Sequence, residues 1–298
     1  MSRPDAILIA GPTASGKSRL AVELALKHRG VVINADSMQV YRELRVLSAR
    51  PSPEDEAAVP HLLYGHVSAA TRYSVGQWLI DAGAALAAAR GMRRLPVFVG
   101  GTGLYFKALT EGLASIPPIP ADLRARLLAG AEGVPAEALH ARLAAADPET
   151  AAATRPSDRA RILRAIEVFE ATGRPLARWR DGASSPPLVL AERAERIVLD
   201  PPRQWLHQRI AGRAEHMVQA GSIEEARALA RLGLSPDMPA MKAIGVRQFL
   251  DHDCGKLTLA EALASVKTET RRYAKRQVTW FRHQMPGWGR RDPSTGDA

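Results

Sequence analysis

A single cysteine, Cys254, stands in 298 residues, which excludes an intrachain disulfide framework and a Cys-based zinc site and suits a reducing compartment. No uncharged run approaches the roughly 18 residues needed to span a bilayer. The apolar stretch Ala6 to Ala10 is too short for a signal peptide. A cytoplasmic protein with no membrane association is therefore expected. There is no fixed-period repeat and no long low-complexity tract. Acidic residues are in short supply, 31 against 41 Lys and Arg, leaving a formal charge of +10 and a pI near 10.2. A polyanionic partner is the first implication. With 46% hydrophobic residues and a mean hydropathy of -0.16, the chain is globular and long enough to bury a sizeable core.

The first hundred residues read as strands alternating with helices. Ala6 to Ala10 ends at Gly11. Ser18 to Arg29 places Leu20, Ala21, Leu24 and Ala25 on one helical face before Gly30, a candidate C-cap. Val31 to Ala35 ends at Asp36, and Leu95 to Val99 runs into Gly100-Gly101-Thr102-Gly103 and a helix from Leu104. Buried runs separated by helical periods predict an α/β parallel sheet with its ligand beyond the carboxyl ends of the strands. SIPPIP at 115–120 and DGASSPP at 181–187 punctuate the chain. Between them Ile162, Ala165, Ile166 and Phe169 follow helical spacing, closed by Gly173 and Pro175. The predicted organisation is a core of residues 1–115 plus 190–290, interrupted by an all-helical insertion at 116–189. Arg196 to Asp200 reads as a returning last core strand, the pattern onward to Trp288 is helical, and the tail from Gly289 is expected to fray, with 291–298 flexible.

GPTASGKS, comprising Gly11, Pro12, Thr13, Ala14, Ser15, Gly16, Lys17 and Ser18, fits G-x-x-x-x-G-K-[ST] between a strand and a helix. Backbone N–H groups and the helix N-terminus would cradle phosphate oxygens, with the Lys17 charge on them and the Ser18 hydroxyl on Mg2+. The loop does not specify the reaction. A kinase or hydrolase would carry a magnesium-orienting Asp at a strand end, and Asp200 fits superficially. Asp36, ending the second strand beside the phosphate site, is the better-placed carboxylate; its alternative is a capping role.

Together with INADSMQVYR at 33–42, VGGTGLYFKAL at 99–109, RILRAIEVFEATGRPL at 161–176, KAIGVRQ at 242–248 and AKRQVTWFR at 274–282, the loop resembles the tRNA dimethylallyltransferases along nearly the whole chain. One departure is LSARP at 47–51, where many members carry a GTAKP-like stretch. The resemblance implies a P-loop NTPase-like core holding dimethylallyl diphosphate rather than ATP, with Mg2+ as cofactor. The dimethylallyl group would pass to the N6 amine of adenosine 37, next to the anticodon, in tRNAs reading UNN codons. A monomer working on the anticodon stem-loop is expected.

In that chemistry Asp36 is the candidate general base for the amine proton, and Thr13 a donor to the bridging oxygen of the leaving diphosphate. An adenine in an anticodon loop has to be flipped out to react, and Asp36, Ser37, Met38 and Gln39 are placed to line its pocket. Thr102 resembles the family position that touches the acceptor nucleotide; the alternative is a helix N-cap. Eight Lys or Arg against one acid, Glu269, fall between Lys267 and Arg291. Arg272, Lys275, Arg276 and Thr279 recur on one helical face, where phosphate contact competes with a merely solvated surface. Trp280 reads as core. The expected RNA contacts are completed by Arg124, Ala160, Arg161, Ile162, Leu163, Arg164, Lys242, Gly245, Arg247, Gln277 and Arg282. Two rivals remain: a P-loop small-molecule or nucleotide kinase, and a non-catalytic, nucleotide-gated RNA-binding protein.

Overall fold

The structure, a computed structural model, describes residues 4–180 and 185–295. Part of the DGASSPP stretch, 181–184, and the end of the expected tail, 296–298, lie outside the described residues. The chain divides into two compact units at Thr110/Glu111 and Pro186/Pro187.

The first unit opens with β1 (Ala6–Ala10), α1 (Lys17–His28), β2 (Gly30–Asn34), α2 (Pro53–Ala58), β3 (His61–Leu62), α3 (Val75–Gly91), β4 (Leu95–Gly100) and α4 (Gly103–Glu111). The second unit carries α5 (Ala121–Ala131), α6 (Ala136–Ala146), α7 (Pro148–Ala152), α8 (Arg159–Thr172) and α9 (Leu176–Arg180). The first unit then resumes with β5 (Ala194–Leu199), α10 (Arg203–Gln219), α11 (Ser222–Ala230), α12 (Val246–Asp253), α13 (Leu259–Gln284) and β6 (Gly289–Arg291).

All strand pairings are parallel, in the order β3-β2-β4-β1-β5-β6. β1, β2 and β4 are buried at every residue, which is why they read as unbroken apolar runs rather than alternating ones. Leu20, Ala21 and Ala25 of α1 pack on Ile7, Ile9, Val97 and Val99 of the sheet. Connections run to β2 on one side of β1 and to β5 on the other, so the carboxyl end of β1, with those of β2 and β4, forms the crevice where such sheets bind ligands.

α13, 26 residues long, is set by a capping box at its start, where Thr258 and Glu261 satisfy each other's backbone N–H groups. Its buried residues, Ala262, Val266, Thr270, Ala274, Gln277 and Phe281, recur every three or four positions and form one stripe. Ala274 packs with Leu206 and Ile210 of α10. In the second unit, Leu127, Leu139, Leu143, Ile162, Ala165 and Ile166 form a separate core.

Three local expectations are corrected. Arg29, not Gly30, takes the left-handed C-cap of α1, with φ 54°. Gly30 begins β2, where a Cβ would lie 2.9 Å from the Leu95 carbonyl oxygen. Gly289 does not fray: residues 289–291 pair with Ile197–Leu199 as a sixth strand, so β5 is not the sheet's last strand. Trp280 is half-buried, its indole against Gly103.

Gly100 is the tightest point of the sheet crevice. A Cβ there would overlap the Ala35 carbonyl and stand 2.7 Å from the Asp36 nitrogen. Backbone cannot yield as a side-chain tip can, so Gly100→Ala should cost about 1–3 kcal/mol by overpacking, seen as a lower Tm. It should also displace the segment carrying Asp36, so that turnover falls further than the loss of folded protein explains.

Candidate active site

The turn after β1 leaves regular geometry at Ala14 (φ 65°) and Gly16 (φ 89°) and turns the α1 N-terminus toward the crevice. Lys17 is the first residue of α1, 9% exposed, its ammonium donating to the Pro12 carbonyl at 3.4 Å. Burial, countered in part by Asp36 and reinforced by Arg213, lowers its pKa to about 8. The Ser15 hydroxyl is buried without a hydrogen-bond partner. Ser18 is half-buried beside it.

Two arginines of α10 reach this loop. The Arg209 Nε donates to the Ala14 carbonyl at 2.9 Å, and Arg213 donates to the Thr13 hydroxyl. Burial and the neighbouring Arg209 lower the Arg213 pKa, while Asp36 raises it. Sequence reasoning missed Arg213. Its signal was an arginine on the stripe Leu206, Ile210, Ala214, Met217, which are all buried; a charge on an apolar stripe usually has a specific task.

Asp36 leaves β2 in a braced turn. Its Oδ1 accepts the Met38 N–H at 2.9 Å, and its own N–H donates to Asn34 Oδ1 at 2.8 Å. The fully buried Asn34 side chain also donates to the Asp36 and Leu63 carbonyls. The Thr102 hydroxyl accepts the Ser37 N–H at 2.9 Å and donates to Ser37 Oγ at 3.2 Å, so it clasps the β2 loop rather than capping α4. Asp36, Ser37 and Met38 share a cavity of about 270 Å³ with Thr13, Arg213, Tyr273 and Arg276. Leu47, Ile210, Met217 and Val266 supply its apolar lining. Burial and Asp36 raise the Tyr273 pKa, which keeps it a phenol able to donate. The rival carboxylate, Asp200, is held by Arg290 at 2.9 Å, and its N–H bonds Arg291. Asp36 is therefore the carboxylate that faces the loop.

Several expected RNA contacts have other occupations. Gln277, 5% exposed, donates to the Gly101 carbonyl at 2.8 Å and accepts the Thr13 N–H at 2.9 Å. Gln39, 7% exposed, donates to the Ser48 and Ala49 carbonyls, bracing the divergent LSARP stretch. Glu225 holds the approach to that stretch and its first residue, accepting the N–H groups of Arg45, Val46 and Leu47 at 2.7–2.8 Å. Gly245 (φ 105°) sits where a Cβ would strike Leu47. Ile162 is fully buried in the core of the second unit. Its neighbours Ala160 and Arg161 are exposed, and Leu163 and Arg164 half-buried. Arg124 and Arg164 both pair with Glu167. Lys242 pairs with Asp237 and the largely exposed Arg247 with Asp251. Lys275, Arg276, Thr279 and Arg282 are exposed along α13.

The arrangement brings the buried Lys17, the half-buried Arg213 and a helix N-terminus together, with the carboxylate of Asp36 in the same cavity as Arg213, a setting chemically able to receive a diphosphate-sized anion. Because the Lys17 pKa is lowered, the binding form is present below about pH 8 and lost above it. Affinity for an unreactive organic diphosphate should hold up to pH 8, then fall toward tenfold per pH unit. Calorimetric titration checks this; Lys17→Met should bind weakly at every pH without that slope.

The IPP transferase family model matches residues 39–284, and an isopentenyl transferase model matches residues 4–61. The chain is 54% identical to the tRNA dimethylallyltransferase of Azorhizobium caulinodans over 98% of its own length and 94% of that protein's. It is 54% identical to that of Nitrobacter hamburgensis over 99% and 92%. Among solved structures, it resembles the tRNA isopentenylpyrophosphate transferase of Bacillus halodurans, with a TM-score of 0.67 at 35% identity over 96% of this chain and 89% of that one. A eukaryotic dimethylallyltransferase acting on tRNA aligns with a TM-score of 0.77 at 27% identity, over 94% of this chain and 70% of that one.

Proposed function

The chain belongs to the IPP transferase family, and from that premise we propose that it is a tRNA dimethylallyltransferase. It moves the dimethylallyl group of dimethylallyl diphosphate to the N6 amine of adenosine 37 in tRNAs reading UNN codons, giving N6-(dimethylallyl)adenosine and pyrophosphate. The observation that carries this reading is the common cavity of Asp36, Thr13 and Arg213 beside the loop of Lys17.

The new N6–C1 bond forms as the bond from C1 to the bridging oxygen breaks. Negative charge then grows on the diphosphate, where the loop N–H groups, Lys17 and Arg213 oppose it. The Arg213 bond to Thr13 aims the threonine hydroxyl, whose own proton is left to bond the bridging oxygen. The exocyclic amine is a poor nucleophile because its lone pair is delocalised into the ring. Asp36 takes its proton as the bond forms, with the Met38 N–H fixing its carboxylate and Asn34 fixing its backbone. The apolar lining of Leu47, Ile210, Met217 and Val266 suits a five-carbon prenyl group.

Mg2+ fits this donor set through the Ser18 hydroxyl, a hard oxygen ligand. Among the described residues there is no group of three or more His, Cys, Asp and Glu able to hold a metal, so its other ligands would be diphosphate oxygens and water. The ion would neutralise the leaving group. Asp36, Ser37, Met38 and Thr102 are proposed to meet the flipped nucleotide. Lys275, Arg276, Thr279 and Arg282, with Lys242 and Arg247, are proposed to meet the RNA, as are Arg124, Ala160, Arg161, Leu163 and Arg164 of the inserted helical domain. No described helix is long and apolar enough to cross a membrane; a cytoplasmic monomer is proposed.

Purified protein mixed with Mg2+, dimethylallyl diphosphate and unmodified tRNA carrying A36-A37 should add one dimethylallyl group to one adenosine, read by nucleoside mass. Asp36→Ala should lower kcat about 10²- to 10⁴-fold while diphosphate affinity changes little. Unaltered nucleoside mass would sink the activity, and near-normal turnover by Asp36→Ala would sink the base. Phosphoryl transfer from ATP would instead favour a kinase.

A further inference from the structure

Glu167 of α8 is a carboxylate placed among apolar side chains, 7% exposed and flanked by the buried Ile166 and Val168. Both its oxygens are engaged by arginine. Arg124 of α5 grips it in a fork, Nε to Oε1 and Nη2 to Oε2, the latter at 3.0 Å. Arg164, three residues earlier on α8, donates from Nη1 to Oε2 at 2.6 Å. Burial alone would raise the carboxyl's pKa; the two guanidiniums outweigh it and hold the group ionised, below the ordinary range.

The arginines themselves remain accessible, with 39% and 40% of their side chains exposed. A bidentate fork fixes the plane of Arg124 and does not use its Nη1, and the single bond from Arg164 does not use that residue's Nε and Nη2. The helices beneath are held by the core of Leu127, Ile162, Ala165 and Ile166. One carboxylate thus holds two guanidiniums in fixed orientation and leaves the group one positive charge in excess. A flexible arginine loses rotamer freedom on being immobilised, and this pair is immobilised before any ligand arrives.

Resting on the tRNA reading above, we propose that Glu167 is a positioning residue that sets Arg124 and Arg164 as a preoriented clamp for RNA phosphate. The proposal inverts the simple electrostatic expectation. If the arginines acted as point charges, removing a nearby carboxylate would strengthen RNA binding. A clamp held by that carboxylate weakens when it is removed, although the protein becomes more positive.

The test uses the full chain and unmodified tRNA. Glu167→Gln should raise the KM and Kd for tRNA about three- to tenfold, with kcat at saturating tRNA and the KM for dimethylallyl diphosphate unchanged. Arg124→Lys keeps the charge but lacks the fork, and should weaken tRNA binding by a similar factor in a protein whose buried carboxylate is intact. Adding Glu167→Gln to the Arg124→Ala/Arg164→Ala double variant should have no further effect on tRNA affinity. Equal or tighter tRNA binding by Glu167→Gln, or an unchanged Kd in Arg124→Lys, would overturn the positioning role. If Arg124→Ala and Arg164→Ala bind tRNA as the unaltered protein does, the contact itself is wrong and the clamp falls with it. If only those two weaken binding, the contact stands and the clamp alone falls.

Discussion

The amide of Gln277 joins the parts of the catalytic core. Its two ends are chemically different, and each has one backbone partner: the oxygen takes the Thr13 N–H of the phosphate loop and the nitrogen donates to the Gly101 carbonyl after β4. Loops following two neighbouring strands are thereby fixed to one long helix. Gly101 must lack a side chain for this, because a Cβ would collide with the Gln277 nitrogen and approach Asp36 Oδ2 to 3.1 Å. Losing either bond would leave a buried polar group unpaired at about 1–3 kcal/mol. The capping box at Thr258 and the apolar stripe of α13 set where that amide stands.

Around this junction the charges are unequal by design of the fold. Lys17 and Arg213 face one carboxylate, Asp36, and burial weakens the hold of each cation on its proton. Such a site favours a polyanion that supplies the missing negative charge. Thr13 receives both influences: its backbone is held by Gln277 and its hydroxyl by Arg213. Asp36 is fixed from the other side by Asn34, itself tied to Leu63 and, through its carbonyl, to Trp78. Thr13 and Asp36 are thus immobilised by separate networks that meet in one cavity, an arrangement suited to contribute to rate by positioning.

Features set by short-range pattern were legible in the sequence. β1, β2 and β4 announce themselves as apolar runs, and the glycines after β1 and β4 mark loops whose backbone must approach something closely. Asp36 could be singled out because it follows a buried strand at the open end of a parallel sheet. What could not be read were partners distant along the chain. Gln277 looks like one more polar residue in a basic stretch, and only contacts 264 and 176 residues away bury it. β6 has the sequence Gly-Arg-Arg and no strand signal of its own; pairing with β5 makes it a strand. Ile162 sat inside a matched segment, but its own helical spacing with Ala165 and Ile166 points it to the core. Arg213 was visible only as a charge out of place on an apolar stripe.

The account depends on Gln277 holding both loops in register, and single-turnover rates with both substrates saturating test that most directly. Gln277→Glu keeps an acceptor for the Thr13 N–H but cannot donate to the Gly101 carbonyl; Gln277→Leu loses both bonds. Because misplacement by about 1 Å can cost 10²-fold, the expected result is a graded fall in rate. It should be moderate in Gln277→Glu and approach about 10²-fold in Gln277→Leu, with diphosphate and tRNA still bound. Rates in both variants equal to that of the unaltered enzyme would contradict the account.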